Sequence, residues 1–359
     1  MGSAMRFEYH DKRIAGILTV TPKNCKTFDE EMENYQADRR RSQRLKIVMG
    51  YDRHHIAETG VTASDLAYFG IERLLSSGQL LKGDIGALIV VTQSPDFIMP
   101  PTSNILQGRL GLGQDVFCLD INQGCAGFLI GLMQAFSLLN QIAEDKKVVL
   151  VNADVLSPKV SKHDRNSYPL VGDAASITVV EQSMVPMEIV GEIRMDGTRY
   201  DALIIPAGGA RMPSTPETAV LHEDAEGNRR ALDHLFMKGG DVFNFVQTEV
   251  PPLIMEVLAR EHLKKDDIDW YLFHQPNKFM VDKLAEAINV PYEKVPSNIV
   301  THFGNASGVT IPTNICYNVG KRMKKEVFKV CLSGFGIGLT WGAMVLDMGR
   351  MSFCDIVEF

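Results

Sequence analysis

The stretch Asp120-Ile121-Asn122-Gln123-Gly124-Cys125-Ala126-Gly127-Phe128, continued by Leu129-Ile130-Gly131-Leu132-Met133, decides how the rest of the chain is read. The run Val116-Phe117-Cys118-Leu119 before it has strand character, while Leu132, Ala135, Phe136 and Leu139 after it recur at helical spacing. Small residues and one cysteine turn the strand into the helix. Backbone N–H groups and the positive end of a helix dipole favour a thiolate at such a place, which makes Cys125 a candidate nucleophile. A free cysteine is also a small hydrophobe that cores readily bury, and from this stretch alone both readings stand.

On either side the pattern alternates. A helix capped by Ser64 and running to residue 77 carries Leu66, Phe69, Ile71 and Leu74 on one face. The continuous apolar run 85–91 reads as a strand buried on both sides, followed by a helix over 103–111, the strand at 116–119, a helix over 127–143 and another buried strand at 147–152. Helices packed on a parallel sheet are the simplest architecture for this order. The region before it is less regular, with a strand at 14–20, a polar helix-like stretch at 28–45 and a loop at 50–55. The pair His54/His55 in that loop lacks a carboxylate at ligand spacing and reads as an ordinary surface or loop pair.

An internal repeat changes the picture. Leu80-Leu81-Lys82-Gly83-Asp84-Ile85 and the apolar run after it match Leu263-Lys264-Lys265-Asp266-Asp267-Ile268 and the run Trp270-Tyr271-Leu272-Phe273. Gly124-Cys125-Ala126-Gly127 likewise matches Gly304-Asn305-Ala306-Ser307, and the helix after each ends in a lysine-rich turn and a strand, at 146–151 and 324–330. The chain thus reads as two copies of one α/β unit, residues 6–185 with the cysteine and 186–359 with His274 and Asn305. Equivalent loops of pseudo-symmetric halves converge on one crevice, so Cys125 and Asn305 should face each other. At their junction, strands at 177–180 and 188–194 suggest an antiparallel pair. A Gly-, Pro- and charge-rich surface excursion at 207–228 follows, then helices at 237–244 and 250–261.

Several residues near this crevice suit chemistry. His274, in Phe273-His274-Gln275-Pro276-Asn277, ends the buried strand of the second copy, where such sheets place ligands. Taken alone it is equally a strand-end histidine satisfied by a backbone partner. Asn305 could cap a helix, and His302 competes as a base from a less tightly placed loop. Ser333-Gly334-Phe335-Gly336-Ile337-Gly338 follows a strand, and its alternating glycines allow the close N–H approach that an oxyanion hole needs. A thiolate that takes an acyl group, neutral His and Asn donors that hold an enolate, and a glycine loop suit thioester condensation. Without a second substrate the same set would serve a cysteine hydrolase.

Composition narrows the classes. The chain has 359 residues, 45% of them hydrophobic, ample for a large core, and carries a net charge of −7 with no long basic block, which gives nucleic-acid binding no support. No apolar run reaches the length of about 18 to 20 residues that crosses a bilayer. Six cysteines without C-x-x-C spacing suggest reduced thiols and a cytoplasmic setting, and Met1-Gly2-Ser3-Ala4 ahead of Met5 reads as an expression remnant.

With these residues in hand, the chain resembles the ketoacyl-[acyl carrier protein] synthase III family of condensing enzymes, over residues 50–347. The resemblance is carried by Asp120 to Phe128 as quoted, Gly172-Asp173-Ala174-Ala175, His274-Gln275-Pro276-Asn277, Gly304-Asn305-Ala306-Ser307 and Gly334-Phe335-Gly336-Ile337-Gly338-Leu339-Thr340-Trp341-Gly342. It implies a thiolase-like α/β fold, two pseudo-symmetric halves layered α-β-α-β-α. It implies a decarboxylative Claisen condensation of an acyl thioester with a malonyl thioester in fatty acid biosynthesis, through an acyl-Cys125 intermediate. His274 and Asn305 would bind the malonyl thioester carbonyl, the backbone N–H groups of Cys125 and Ile337 would form the oxyanion hole, and Met99 of a partner subunit and Phe335 would line the acyl pocket. No cofactor or metal is implied, only acyl-CoA or acyl-carrier-protein and malonyl-carrier-protein substrates, a homodimer and an acyl carrier protein partner. Three positions depart from the family pattern: Arg44 and Pro158 stand where residues stacking on coenzyme A are usual, and Val48 where an arginine is. They shift weight from coenzyme A toward a carrier protein or an unusual acyl group. Lys278 and Lys283 are the nearest substitutes for a carrier-docking arginine, though two lysines on a helix also make a plain solvated face. Acyl transfer to an alcohol or amine, or a carrier-binding scaffold without catalysis, remain as alternatives. A degradative thiolase would need a second cysteine in the glycine loop, where this chain has Ile337.

Overall fold

The structure, a computed structural model, describes residues 5–35 and 39–359. The remnant reading of residues 1–4 and a few residues of the helix expected at 28–45 lie outside those residues. Within the latter stretch a short helix at Phe28–Glu31 is followed later by α1 (Arg39–Met49).

Strands that are apolar on both faces must be covered on both faces, and the chain supplies helices for each. One sheet holds β2 (Lys12–Thr21), β3 (Ile85–Val91), β4 (Phe117–Ile121), β5 (Lys147–Asp154) and β6 (Ala174–Gln182), in the order β2-β6-β5-β3-β4. The other holds β7 (Glu188–Met195), β8 (Trp270–Phe273), β9 (Val327–Gly336) and β10 (Thr340–Gly349), in the order β7-β10-β9-β8. The two orders follow the internal repeat. Between the sheets lie α4 (Gly127–Leu138) and its counterpart, the helical run 310–323, whose Phe128, Leu132, Ile311 and Ile315 share one core with both sheets. The outer face of the first sheet is covered by α2 (Ala63–Ser76) and α3 (Thr102–Leu110), that of the second by α5 (Gly239–Arg260) and α6 (Lys278–Ile288). The result is the five-layer α-β-α-β-α arrangement of the thiolase-like fold.

The terminal strands cross between the sheets. β1 (Met5–His10) pairs antiparallel with β7 at the edge of the second sheet, and β11 (Phe353–Glu358) pairs parallel with β2 at the edge of the first. A boundary at residues 185/186 therefore does not separate the chain into self-contained bodies.

Several local expectations change. Thr62 rather than Ser64 caps α2, through a capping box with Asp65, and the Ser64 hydroxyl instead donates to Asp96 at 2.6 Å. β6 and β7 are not partners: β6 pairs with β2 and β5, and β7 with β1 and β10. The helices expected at 237–244 and 250–261 are one, α5, continuous through Pro251 and Pro252, because Val250, Leu253, Ile254, Val257 and Leu258 bury against the second sheet. Arg53–His55 is a short strand paired with Cys25–Thr27, not a loop, and both histidines are buried. His54 bridges the Val171 carbonyl (2.6 Å) and the Glu31 carboxyl (2.9 Å), and His55 lies 2.6 Å from the Pro22 carbonyl, so the pair ties loops together.

Candidate active site

Cys125 sits in the turn between β4 and α4, closed by Gly127 N–H donating to the Gly124 carbonyl at 2.7 Å. The turn fits against the end of β9 only because of glycine: at Gly336, with φ of +157°, a Cβ would lie 2.7 Å from Cys125 Cβ and 2.8 Å from its Sγ. β9 extends beyond its apolar run into the glycine loop and delivers Ile337 at its tip. The N–H groups of Ile337 and of Cys125 itself, and the Ser307 hydroxyl, favour negative charge on the sulfur. Burial opposes them more strongly, and with the nearby Asp154 carboxyl it pushes the thiol up to about 11. The thiolate that a helix start favours is thus not the resting state. We expect alkylation of the free protein by iodoacetamide at Cys125 to rise about tenfold per pH unit between roughly pH 7 and 10, as the thiolate fraction does. A rate already flat near neutrality would contradict the burial argument.

His274 follows β8, its N–H held by the Ser333 carbonyl at 2.8 Å, and its ring is buried with an edge against Phe335 at 5.5 Å between ring centres. Burial pushes the imidazole down to about 3, so the ring is neutral. Nδ1 lies 2.7 Å from the Thr310 hydroxyl, and the Ser307 backbone carbonyl is also close enough to the ring to favour its protonated form, against the burial.

Asn305 follows Gly304, where φ is +78° and an added Cβ would lie 2.9 Å from the Gly172 backbone, so no side chain fits. Its backbone bridges to Val171, with Asn305 N–H donating to the Leu170 carbonyl at 2.7 Å. The Asn305 Oδ1 accepts the Ser307 N–H at 2.9 Å. An N–H can only donate, so the amide oxygen is committed there and the NH2 group is left for a ligand.

These groups share one cavity of about 630 Å³, lined by Cys125, His274, Asn305, Ser307, Phe335 and Ile337 together with apolar side chains such as Phe243 and Phe279, which stack at 5.6 Å. The structure thus brings Cys125, His274, Asn305, Ile337 and Phe335 together. His302 stays outside the lining, packed on Tyr317. Met99 is 79% exposed beside exposed Phe97 and Ile98 and does not line the chain's own cavity. Arg44 and Val48 line a smaller cavity of about 250 Å³ with Arg41 and Arg165, which shares Leu45, Asn166 and Glu226 with the larger one. Pro158 lines neither. Lys278 and Lys283 pair with Asp282 and Glu286 on their own helix.

The excursion at 207–228 is more than surface. Asp224, Ala225 and Glu226 contribute to the cavity wall, fixed by Glu226 on Arg165 at 3.0 Å and by Arg230 bridging Asp224 and Asp164. Three polar residues beside the cavity had no assigned role in the sequence: Ser307, Thr310 and Asp154. Ser307, at φ +53°, places its hydroxyl between the thiol and Asp154, aligned squarely with neither. Asp154 is buried, which pushes its carboxyl up to about 7 against the Gln93 N–H at 2.7 Å and neighbouring hydroxyls. Among the described residues no group of three or more His, Cys, Asp or Glu side chains is placed to hold a metal, and no helix is long and apolar enough to cross a membrane.

Comparison with known proteins gives a consistent picture. The family described as 3-oxoacyl-[acyl-carrier-protein (ACP)] synthase III matches residues 119–196, and its C-terminal region matches residues 258–348. A Campylobacter jejuni protein provisionally named 3-oxoacyl-[acyl-carrier-protein] synthase 3 is 33% identical over 96% of both chains. The beta-ketoacyl-[acyl-carrier-protein] synthase III of Phocaeicola vulgatus is 32% identical over 83% of this chain and 85% of its own. Among solved structures, a 3-oxoacyl-(acyl-carrier protein) synthase from Burkholderia xenovorans superposes with a TM-score of 0.90 at 31% identity, covering 99% of both chains.

Proposed function

The chain belongs to the 3-oxoacyl-[acyl-carrier-protein] synthase III family, and from that premise we propose that Cys125, His274 and Asn305 carry out the family's decarboxylative condensation. The protein is a condensing acyltransferase. The observation that carries the residue assignment is the convergence, in one cavity, of a buried thiol beside the Cys125 and Ile337 N–H groups with the His274 ring and the Asn305 NH2 group.

The reaction has two halves. The Cys125 sulfur attacks the carbonyl carbon of an acyl thioester, and the oxyanion forms opposite the N–H groups of Cys125 and Ile337. The thiol leaving group departs with the proton that Cys125 gave up, and the acyl-cysteine remains. A malonyl thioester then loses its carboxylate as carbon dioxide. The electron pair of the broken C–C bond becomes an enolate whose oxygen sits between His274 and the Asn305 NH2 group. That carbon attacks the acyl-cysteine carbonyl, a C–C bond forms, and the Cys125 sulfur is released. The sulfur leaves as a thiolate and takes one proton from solvent to restore the thiol, and no atom changes hands with an oxidant or reductant, so the reading calls for no resident cofactor.

The substrates of this reading are an acyl thioester of coenzyme A or a carrier protein and a malonyl-carrier-protein, with the acyl chain beside Phe335. A homodimer fits the exposed run Phe97 to Met99 and the exposed Phe117 on β4, the edge strand of its sheet. Pairing along that edge would let Met99 of the partner subunit close the acyl pocket. A thiol nucleophile among free cysteines suits a reducing compartment, and the proposal places the enzyme in the cytoplasm.

Incubation with a panel of acyl thioesters followed by intact-mass measurement should add one acyl group at Cys125. Carboxyl-labelled malonyl thioester should then release labelled carbon dioxide in step with the condensed product. An acyl adduct without carbon dioxide release would instead point to acyl transfer to an alcohol or amine. Absence of any adduct across the panel would sink the assignment of Cys125.

A further inference from the structure

A neutral imidazole has one proton, and its position decides whether His274 offers a donor or a lone pair to the cavity. The deciding neighbour is Thr310, a buried residue outside the cavity lining. Its hydroxyl lies 2.7 Å from His274 Nδ1 and 3.1 Å from the Ser307 carbonyl oxygen, and it accepts the Gln275 N–H at 3.2 Å. A hydroxyl also has only one proton to give. The Ser307 carbonyl does not need it, because the backbone N–H of Thr310 already donates there. The hydroxyl can donate to either, and the Nδ1 contact is the shorter, 2.7 Å against 3.1 Å.

We propose that Thr310 is a positioning residue whose hydroxyl donates to Nδ1 of His274 and thereby holds the imidazole in the tautomer that presents Nε2–H to the cavity. This rests on the reading of His274 as a donor to the enolate oxygen. With the Thr310 proton committed to Nδ1 and the Gln275 N–H filling a lone pair of Oγ1, no polar group in the cluster is left unpaired. The opposite tautomer, with Nδ1–H donating to Oγ1, would turn a lone pair toward the enolate and repel it. His274 Nε2–H and the Asn305 NH2 group would then act as a matched pair, one oriented by a hydroxyl and the other by the Ser307 N–H.

The test is nitrogen-15 NMR of histidine-labelled enzyme, with the His274 signals identified by their loss in His274→Asn. Wild-type enzyme should show protonated Nε2 and unprotonated Nδ1. Thr310→Ser should keep that pattern and activity. Thr310→Val should shift the ring toward Nδ1–H, directed at the Ser307 carbonyl, and cut carbon dioxide release at least about tenfold, while acylation of Cys125 stays within about twofold. A protonated Nδ1 in the wild-type spectrum overturns the proposal without any variant, as does a Thr310→Val enzyme that keeps both tautomer and decarboxylation. If decarboxylation survives in His274→Ala, the donor reading of His274 fails. If it is lost there but kept in Thr310→Val, only the role of Thr310 fails.

Discussion

Cys125→Ala should form no acyl adduct with any thioester donor, and condensation should fall by at least about a thousandfold. The reason is placement as much as chemistry. Among the described residues Cys125 is the one cysteine that lines the cavity; Cys331 is buried within β9, and Cys316 and Cys354 face each other in the interior. No other thiol can reach a carbonyl held by the N–H groups of Cys125 and Ile337. The substitution removes a single sulfur from a wall already tight against Gly336, so the fold should survive, with a loss of about 1 kcal/mol or less. Intact-mass spectrometry and thermal unfolding of the same sample check both halves. An adduct that persists in this variant would move the nucleophile elsewhere.

His274→Ala and Asn305→Ala should divide the reaction at its middle. Acylation of Cys125 should continue within a few-fold of wild type, while release of carbon dioxide from a malonyl thioester falls about a hundredfold or more. In the proposed mechanism the donors for the first oxyanion are the backbone N–H groups of Cys125 and Ile337, which neither substitution touches. Asn305 needs a control, since its Oδ1 also anchors Ser307, a residue in the left-handed region. Asn305→Asp keeps that acceptor and removes the NH2 donor. Equal losses in the alanine and aspartate variants identify the donor as what matters; recovery in the aspartate would reduce Asn305 to an anchor. Loss of acylation in both His274→Ala and Asn305→Ala would mean that the division of labour is misdrawn.

Much of this architecture could be read from residue order, because burial on both faces leaves a continuous apolar run and the run at 85–91 has its counterpart at 270–273. Pairing partners are another matter. β1 alternates exposed Arg6 and Glu8 with half-buried Phe7 and Tyr9, a pattern that fits any sheet edge, and nothing local says that its edge lies in the other half. The gap expected between helices at 237–244 and 250–261 is closed, because Phe245, Val246 and Val250 bury against the second sheet. That Cys125, His274 and Asn305 share one cavity could be anticipated because each stands where an element begins or ends. The places of Ser307, Thr310 and Asp154 could not, since a small polar side chain acquires its role from partners distant in the chain. The titration of Cys125 was misread for a related reason: a helix start is visible in sequence, but the burial that outweighs it is not.

The exchange of terminal strands has a consequence for how the protein is made. β2 carries Ile14, Ile17, Leu18 and Val20 in the interior, yet its outer neighbour β11 follows every other strand of both sheets in the chain. Until those residues emerge, β2 is an open, apolar sheet edge, the kind of template that recruits foreign strands. β1 meanwhile has no partner until β7 has been synthesised. The first sheet is complete only once Phe353–Glu358 has joined it, so a chain truncated before Phe353 should be prone to aggregate rather than form a folded first half.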